Sequence, residues 1–243
     1  MIFLKKKIEL FKKHINIAAK KQNKMKDRIN MKELNVIEEN ELYGVIGGCN
    51  KEAIVWYKTA INNIKIAEIL FNENQTPQCI FSLQQCVETL TKGVLLECGV
   101  IKSPRELNHH PEKAFQELYN KKNDTINSKN CNFVLQKIKG NEYNFEKKLP
   151  IIAQITNSAT TQYSENMFSV SPKEYQNLKY SYVNTALFCL CVLFNSTEAK
   201  SRYPEGNIMP SNIFETDNVK KYLPGILNLL KSLIDIITFG LKL

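Results

Sequence analysis

The sequence predicts an all-α protein: a bundle of four to five long antiparallel helices, with a basic helix before it and an amphipathic helix after it. Three observations point there. Apolar residues recur every three to four positions instead of alternating, as in Tyr175, Leu178, Tyr182, Ala186, Leu190 and Phe194. The helix-start formula Ser-Pro-x-Glu occurs twice, at Ser103-Pro104-Arg105-Glu106 and Ser171-Pro172-Lys173-Glu174. Nine glycines in 243 residues are few for a chain built on tight turns.

Residues 1–49 read as a basic leader and connector. Ten of the 33 basic residues but only Glu9 and Asp27 of the acidic ones lie in the first thirty positions, so nearly all of the net charge of +9 sits there. The remainder is close to neutral, and a basic footprint for nucleic acid would have to be the leader or a local patch. A solvated helix is the plain reading of the leader. A membrane-surface or nucleic-acid contact is the alternative. Met25 and Met31 also offer later starts.

The first core helix is expected from about Lys51 to Asn72, burying Ile54, Tyr57, Ile61, Ile64, Leu70 and Phe71. After the polar break at residues 72–75, Thr76 offers an N-cap with Pro77 behind it. That helix should run to Cys98 and end on Gly99 in the left-handed conformation. Ser103 launches only a short turn, because Pro111 pushes His110 out of the helical region. His110 then caps a third helix from Pro111 to about Asn120, with Ala114, Phe115 and Leu118 turned inward. Helices are expected near 130–139 and 149–158, then a long one from Ser171 to about Lys200. A loop with Pro204, Gly206 and Pro210 leads to a last helix starting at Val219 or Pro224. That helix ends near Leu241, with Ile226, Leu230, Leu233 and Ile237 on one face.

No membrane span is expected. Residues 183–194 fall short of the roughly 20 needed, and Lys231, Asp235 and Lys242 interrupt 223–243. Residues 1–4 are too short for the apolar part of a signal peptide. Seven cysteines without a C-x-x-C spacing read as reduced, mostly buried thiols in a cytoplasmic protein, and three histidines give no zinc pattern. No phosphate loop, dinucleotide fingerprint, nucleophile elbow or zinc-protease motif is present, so no cofactor is implied.

Trp56-Tyr57-Lys58-Thr59-Ala60, then the helix carrying Phe81, Gln85, Glu88 and Lys92, resembles the opening helix pair of HEPN domains. His110 before Glu112-Lys113-Ala114-Phe115 is similar to the histidine that opens their third helix. Arg202-Tyr203-Pro204 resembles a tripeptide frequent in that family, although here it follows the long helix instead of preceding the fourth one. The resemblance spans at most residues 50–205. It divides the chain into the leader at 1–49, a bundle at 50–205, and a C-terminal helix at 206–243 packed on the bundle.

Many HEPN proteins are metal-independent ribonucleases with four to six residues between an arginine and a histidine. The resemblance therefore implies Arg105 and His110 as a catalytic pair, with His109 one residue short of that spacing. An imidazole can move the proton of a ribose 2′-hydroxyl near neutral pH, and a guanidinium can hold the phosphate. The structural alternative for His110 is a helix cap. Ligand contacts are expected at Glu88, Lys92, His109, Arg202 and Tyr203. Against that, Glu88 and Lys92 could be an ordinary surface pair one helical turn apart, and Trp56 a packing residue. The leading expectation is a binding module for a nucleotide, RNA or a protein partner in prokaryotic defence. Its expected form is a homodimer beside a nucleotidyltransferase or antitoxin. A ribonuclease toxin and a peripheral membrane protein held by residues 1–26 are the competing readings.

Overall fold

Helix α1 (Lys51–Asn72) and helix α2 (Thr76–Glu97) fold back on each other across Glu73, Asn74 and Gln75. The structure, a computed structural model, describes residues 51–107, 111–115, 125–195, 197–203 and 207–239. These residues belong to a unit spanning residues 44–243. The leader, His109, His110, Leu118 and Pro204 lie outside the described residues.

Both helices of the hairpin end in the same way. Asn74 and Gly99 take positive φ, at 58° and 65°. Around them Gln75 N–H bonds Leu70 O at 2.8 Å and Val100 N–H bonds Leu95 O at 2.9 Å, closing the last carbonyls. The expected cap at Thr76 needs correction. Gln75 is the N-cap and makes no side-chain cap bond, while Thr76 and Pro77 already lie inside the helix. Proline there costs nothing, since the first N–H groups have no helical partner.

The buried side of α1 is Ala53, Tyr57, Ala60, Ile64 and Ala67, spaced four, three, four and three. Ile54 and Ile61, expected inside, are only half-buried. Alanines on the seam let α2 come close. The Cys86 thiol lies 3.4 Å from the Ala60 carbonyl. A Cβ added at Gly93 would stand 2.5 Å from the Tyr57 ring. Gly93 is thus required by packing, not by backbone conformation.

After α2 comes a single 3-10 turn, Pro104–Glu106, and residues 111–115 are helical. Next are α3 (Thr125–Ile138), α4 (Phe145–Asn166), α5 (Pro172–Phe194), α6 (Thr197–Arg202), α7 (Pro210–Phe214) and α8 (Asp217–Thr238). No strand element occurs among the described residues. The expected helices at 130–139 and 149–158 are real but longer. Asn144 caps α4 through Lys147 N–H at 3.0 Å, which leaves Pro150 inside the helix at the cost of one ladder bond.

Helix α5 is the central rod: every residue from Ala186 to Phe194 is at most 4% exposed. Helices α2, α3 and α4 pack on it, α6 and α7 pack on α2, and α8 lies across α4 and α1. Phe145, Phe194 and Phe214 join α4, α5 and α7, with ring centres 5.7 and 5.5 Å apart. Phe115 meets Phe188 edge-on at 6.1 Å. Helix α8 buries Ile226, Leu230, Leu233 and Ile237 as expected. It starts at Asp217, with Thr216 as its cap and Pro224 within it.

The long helix was expected to reach Lys200 but stops at Phe194. The cause lies elsewhere in the chain. Lys148 of α4, fully buried, donates its ammonium to the carbonyls of Val192 at 2.6 Å and Asn195 at 3.5 Å. Thr197 Oγ1 donates to Phe194 O at 2.7 Å. The terminal carbonyls, at the negative end of the helix dipole, gain a cation and a hydroxyl in place of another helical turn. Among the described residues, no helix is long and apolar enough to cross a membrane.

Candidate functional site

Helix α2 is buried on most sides, but Phe81, Gln85, Glu88 and Lys92 are only partly covered. Their spacing of four, three and four places them in one stripe along the helix. Lys92 Nζ donates to Glu88 Oε1 at 2.5 Å, and the same ammonium lies 5.4 Å from the centre of the Trp56 ring on α1. The pair is less superficial than an ordinary surface pair, for the two side chains are only 14% and 12% exposed.

At the other end of the stripe, α6 brings Arg202 against α2. Its guanidinium carbon lies 4.9 Å from the Phe81 ring centre and 5.3 Å from that of Tyr203. Arg202 and Tyr203 are both exposed. Four of the expected ligand residues, Glu88, Lys92, Arg202 and Tyr203, therefore share one side of α2. Eleven residues at 1.5 Å each separate Phe81 from Lys92, a rise of about 16 Å. Each end carries a cation against an aromatic ring, a favourable contact between positive charge and the ring face.

Arg105 does not join this group. It is exposed on the 3-10 turn beyond the far end of α2, held by the Ser103 box. Ser103 N–H donates to Glu106 Oε1 at 3.0 Å, and Arg105 N–H to Ser103 Oγ at 3.4 Å. Arg105 makes no hydrogen bond, ion pair or ring contact with the stripe residues among the described residues. His109 and His110, the other expected site residues, lie outside the described residues. Ala114 and Phe115 are buried as the sequence predicts.

Beside the stripe lies a largely buried polar cluster. The Thr91 hydroxyl is 3.3 Å from Cys191 Sγ. Burial pushes that thiol well up; Thr91 opposes the shift, and the charges of Glu112 and Glu88 add to it. Burial pushes Cys189 up to about 12. Both are inert as nucleophiles, as their place in an apolar helix predicts. Asn195 Nδ2 donates to Glu112 Oε1 at 3.3 Å. Burial pushes Lys148 down to about 8, with Glu112 opposing and Lys200 adding to the shift. With no exposed surface, Lys148 is a structural cation. Among the described residues, no three His, Cys, Asp or Glu side chains gather as a metal site.

A family model for the HEPN domain matches residues 53–142. Residues 53–142, a little over a third of the chain, are thus similar to a HEPN domain. No curated protein and no solved structure matches the chain. The HEPN match takes in α1, α2, the turn with Arg105, residues 111–115 and α3, and ends just before α4. Within the matched segment, Phe81, Gln85, Glu88 and Lys92 form a partly exposed line along the otherwise mostly buried α2. Sequence reasoning singled out Glu88 and Lys92 there but did not pair Phe81 with Arg202. The regular recurrence of 81, 85, 88 and 92 was the available signal; that α6 returns to this face was not.

Proposed function

We propose that this HEPN-like domain is a binding module that takes RNA or a nucleotide on the outward stripe of α2. The observation that carries the reading is the pair of cation–aromatic stations, Arg202 on Phe81 and Lys92 on Trp56, about 16 Å apart on one face. Aromatic faces stack bases without regard to sequence, and cations beside them meet phosphates. A single-stranded segment laid along the stripe finds both in register, with Gln85 and the Glu88 carboxylate between them as hydrogen-bonding groups. In this reading the module works in the cytoplasm as a homodimer. A nucleotidyltransferase or antitoxin partner is supplied from a neighbouring gene in a prokaryotic defence setting.

Fluorescence anisotropy with a labelled single-stranded RNA tests it. Wild type should bind with an affinity that falls as salt rises. Phe81→Ala and Arg202→Ala should each weaken binding about tenfold, since one stacked base contributes roughly 1–3 kcal/mol. Unchanged affinity in both variants, or no binding by folded wild type at about 100 µM, would remove this reading. The ribonuclease alternative rests on Arg105 and His110. It predicts RNA cleavage in EDTA that Arg105→Ala and His110→Ala abolish while the helical signal is kept.

A further inference from the structure

Helices α3 and α4 both pack on α5 but touch each other little, and between them opens a cleft of about 470 Å³. That volume is in the range of roughly 300–1,000 Å³ usual for small-molecule sites. The floor is one face of α5, with Leu178, Ser181, Tyr182 and Thr185 at helical spacing. Helix α3 contributes a wall with Asn130 and Phe133, and α4 the opposite wall with Ile151 and Ile155.

The lining has a distinct chemistry. In a chain with 23% charged residues, Lys137 is, among the described residues, the only charged one lining the cleft, and no described carboxylate lines it. Gln154, Ser158 and Gln162 stand one turn apart on α4, and their side chains make no hydrogen bond among the described residues. On the far side, Asn130 Nδ2 donates to Thr185 Oγ1 at 3.4 Å, which leaves the Asn130 carbonyl oxygen and the Thr185 hydroxyl proton available. Aromatic surface is supplied in fixed positions. Tyr163 and Tyr182 stack at 4.5 Å with 11° between their planes. Their hydroxyls are already engaged, by Tyr175 at 3.1 Å and Thr160 at 3.0 Å. The stacked pair, each residue only 5% exposed, is a rigid base for the cleft; the open ring is Phe133, and hydrogen bonding falls to the amides and hydroxyls. Phe133 is 48% exposed, with the Lys137 ammonium 5.3 Å from its ring centre.

We propose that this cleft binds an uncharged planar heterocycle of the nucleobase or nucleoside class. Apolar and aromatic walls take the faces of such a ring, while neutral amides and hydroxyls pair its edge donors and acceptors without desolvating a charge. One lysine at the rim is too little for a di- or triphosphate, whose several charges call for several cations or backbone N–H groups. The site is separate from the α2 stripe and does not depend on the RNA-binding reading. Two of its three helices, α4 and α5, lie beyond the segment that matches the HEPN model.

Saturation-transfer NMR and calorimetry on the full chain test the proposal with adenosine, guanosine, cytidine, uridine, ATP and ribose as probes. At least one nucleoside should saturate at millimolar or lower concentration and perturb amide signals of the cleft in wild type. ATP should bind more weakly than adenosine, and ribose not at all. Gln154→Leu, on an exposed position that does not threaten folding, and Thr185→Val should each weaken the nucleoside about tenfold, since each leaves an edge group unpaired. Lys65→Ala on α1 should change nothing. The proposal is overturned if no nucleoside saturates by about 5 mM, if ATP or ribose binds as well, or if neither cleft variant alters affinity.

Discussion

The α1–α2 hairpin and the α4–α5 pair solve the same packing problem in opposite ways. The hairpin is brought close by small residues, with Ala53, Ala60, Ala67 and Gly93 letting the two backbones approach and Tyr57 filling the space between. The α4–α5 pair is held by buried polar groups. These are the Tyr163–Tyr182 stack with its two hydroxyl bonds, and Lys148 closing the end of α5. One contact depends on shape, the other on satisfied hydrogen bonds. Shape tolerates no added atom, whereas a buried cation tolerates no lost partner.

The largest effect should come from Lys148→Ala. It removes the donor to Val192 and Asn195, leaves Glu112 without its nearby charge, and opens a cavity, for a loss of about 3–5 kcal/mol. Lys148→Met keeps the stem and should cost less. Denaturant midpoints measure both, and a change under about 0.5 kcal/mol in Lys148→Ala would break the contrast. Gly93→Ala comes next, at about 1–3 kcal/mol, because the new methyl group meets a ring that is fully buried and bonded to Glu97 at 2.6 Å. In a Tyr57→Leu background the same change should cost markedly less, and equal costs in both backgrounds would argue against the close approach.

The pH dependence should separate the two kinds of buried group. Burial pushes Lys148 and Lys179 down to about 8 from 10.5, with Glu97 opposing the shift at Lys179. Their folded-state cost is full below pH 8 and is relieved as pH rises toward 10.5, because the unfolded chain binds the extra protons. Buried thiols act the other way. Cys86 and Cys189 are pushed up to about 12 from 9.0, so above pH 9 the unfolded chain loses protons that the folded chain keeps. Each thiol then removes up to about 1.4 kcal/mol per pH unit. Stability in reducing buffer should therefore peak near pH 8–9 and fall toward pH 11. Replacing both lysines by methionine should remove the rise from about pH 8 to the peak and steepen the fall above it, where lysine relief otherwise offsets the thiols, and a midpoint series from pH 6 to 11 will show both. The smallest effect should be at Lys231, whose 2.6 Å pair with Glu68 joins α8 to α1 with both side chains more than two-fifths exposed. Lys231→Ala should cost well under about 1 kcal/mol, and less in high salt.

The all-α class, the two capping boxes, the hairpin ends at residues 72–75 and Gly99, and the buried face of α8 were legible in the sequence. Each depends on residues within a turn or two of one another. The Glu88–Lys92 pair was legible for the same reason. Local signals failed where a distant partner decides the outcome. No glycine or proline at 195–197 announces the end of α5, which is set by a lysine 44 residues upstream reaching Val192. Arg202 was named as a ligand residue without its stacking partner, because only the return of α6 onto α2 brings it to Phe81. The cleft between α3 and α4 had no sequence signature at all. It exists because two helices share the α5 floor without closing over it, and its polar residues look in sequence like ordinary solvent-facing ones. Local propensity and periodicity thus determined which segments are helices and which sides they bury. The three-dimensional path alone decided where α5 stops, which rings the cations rest on, and where an open site remains, since each follows from groups meeting across the chain.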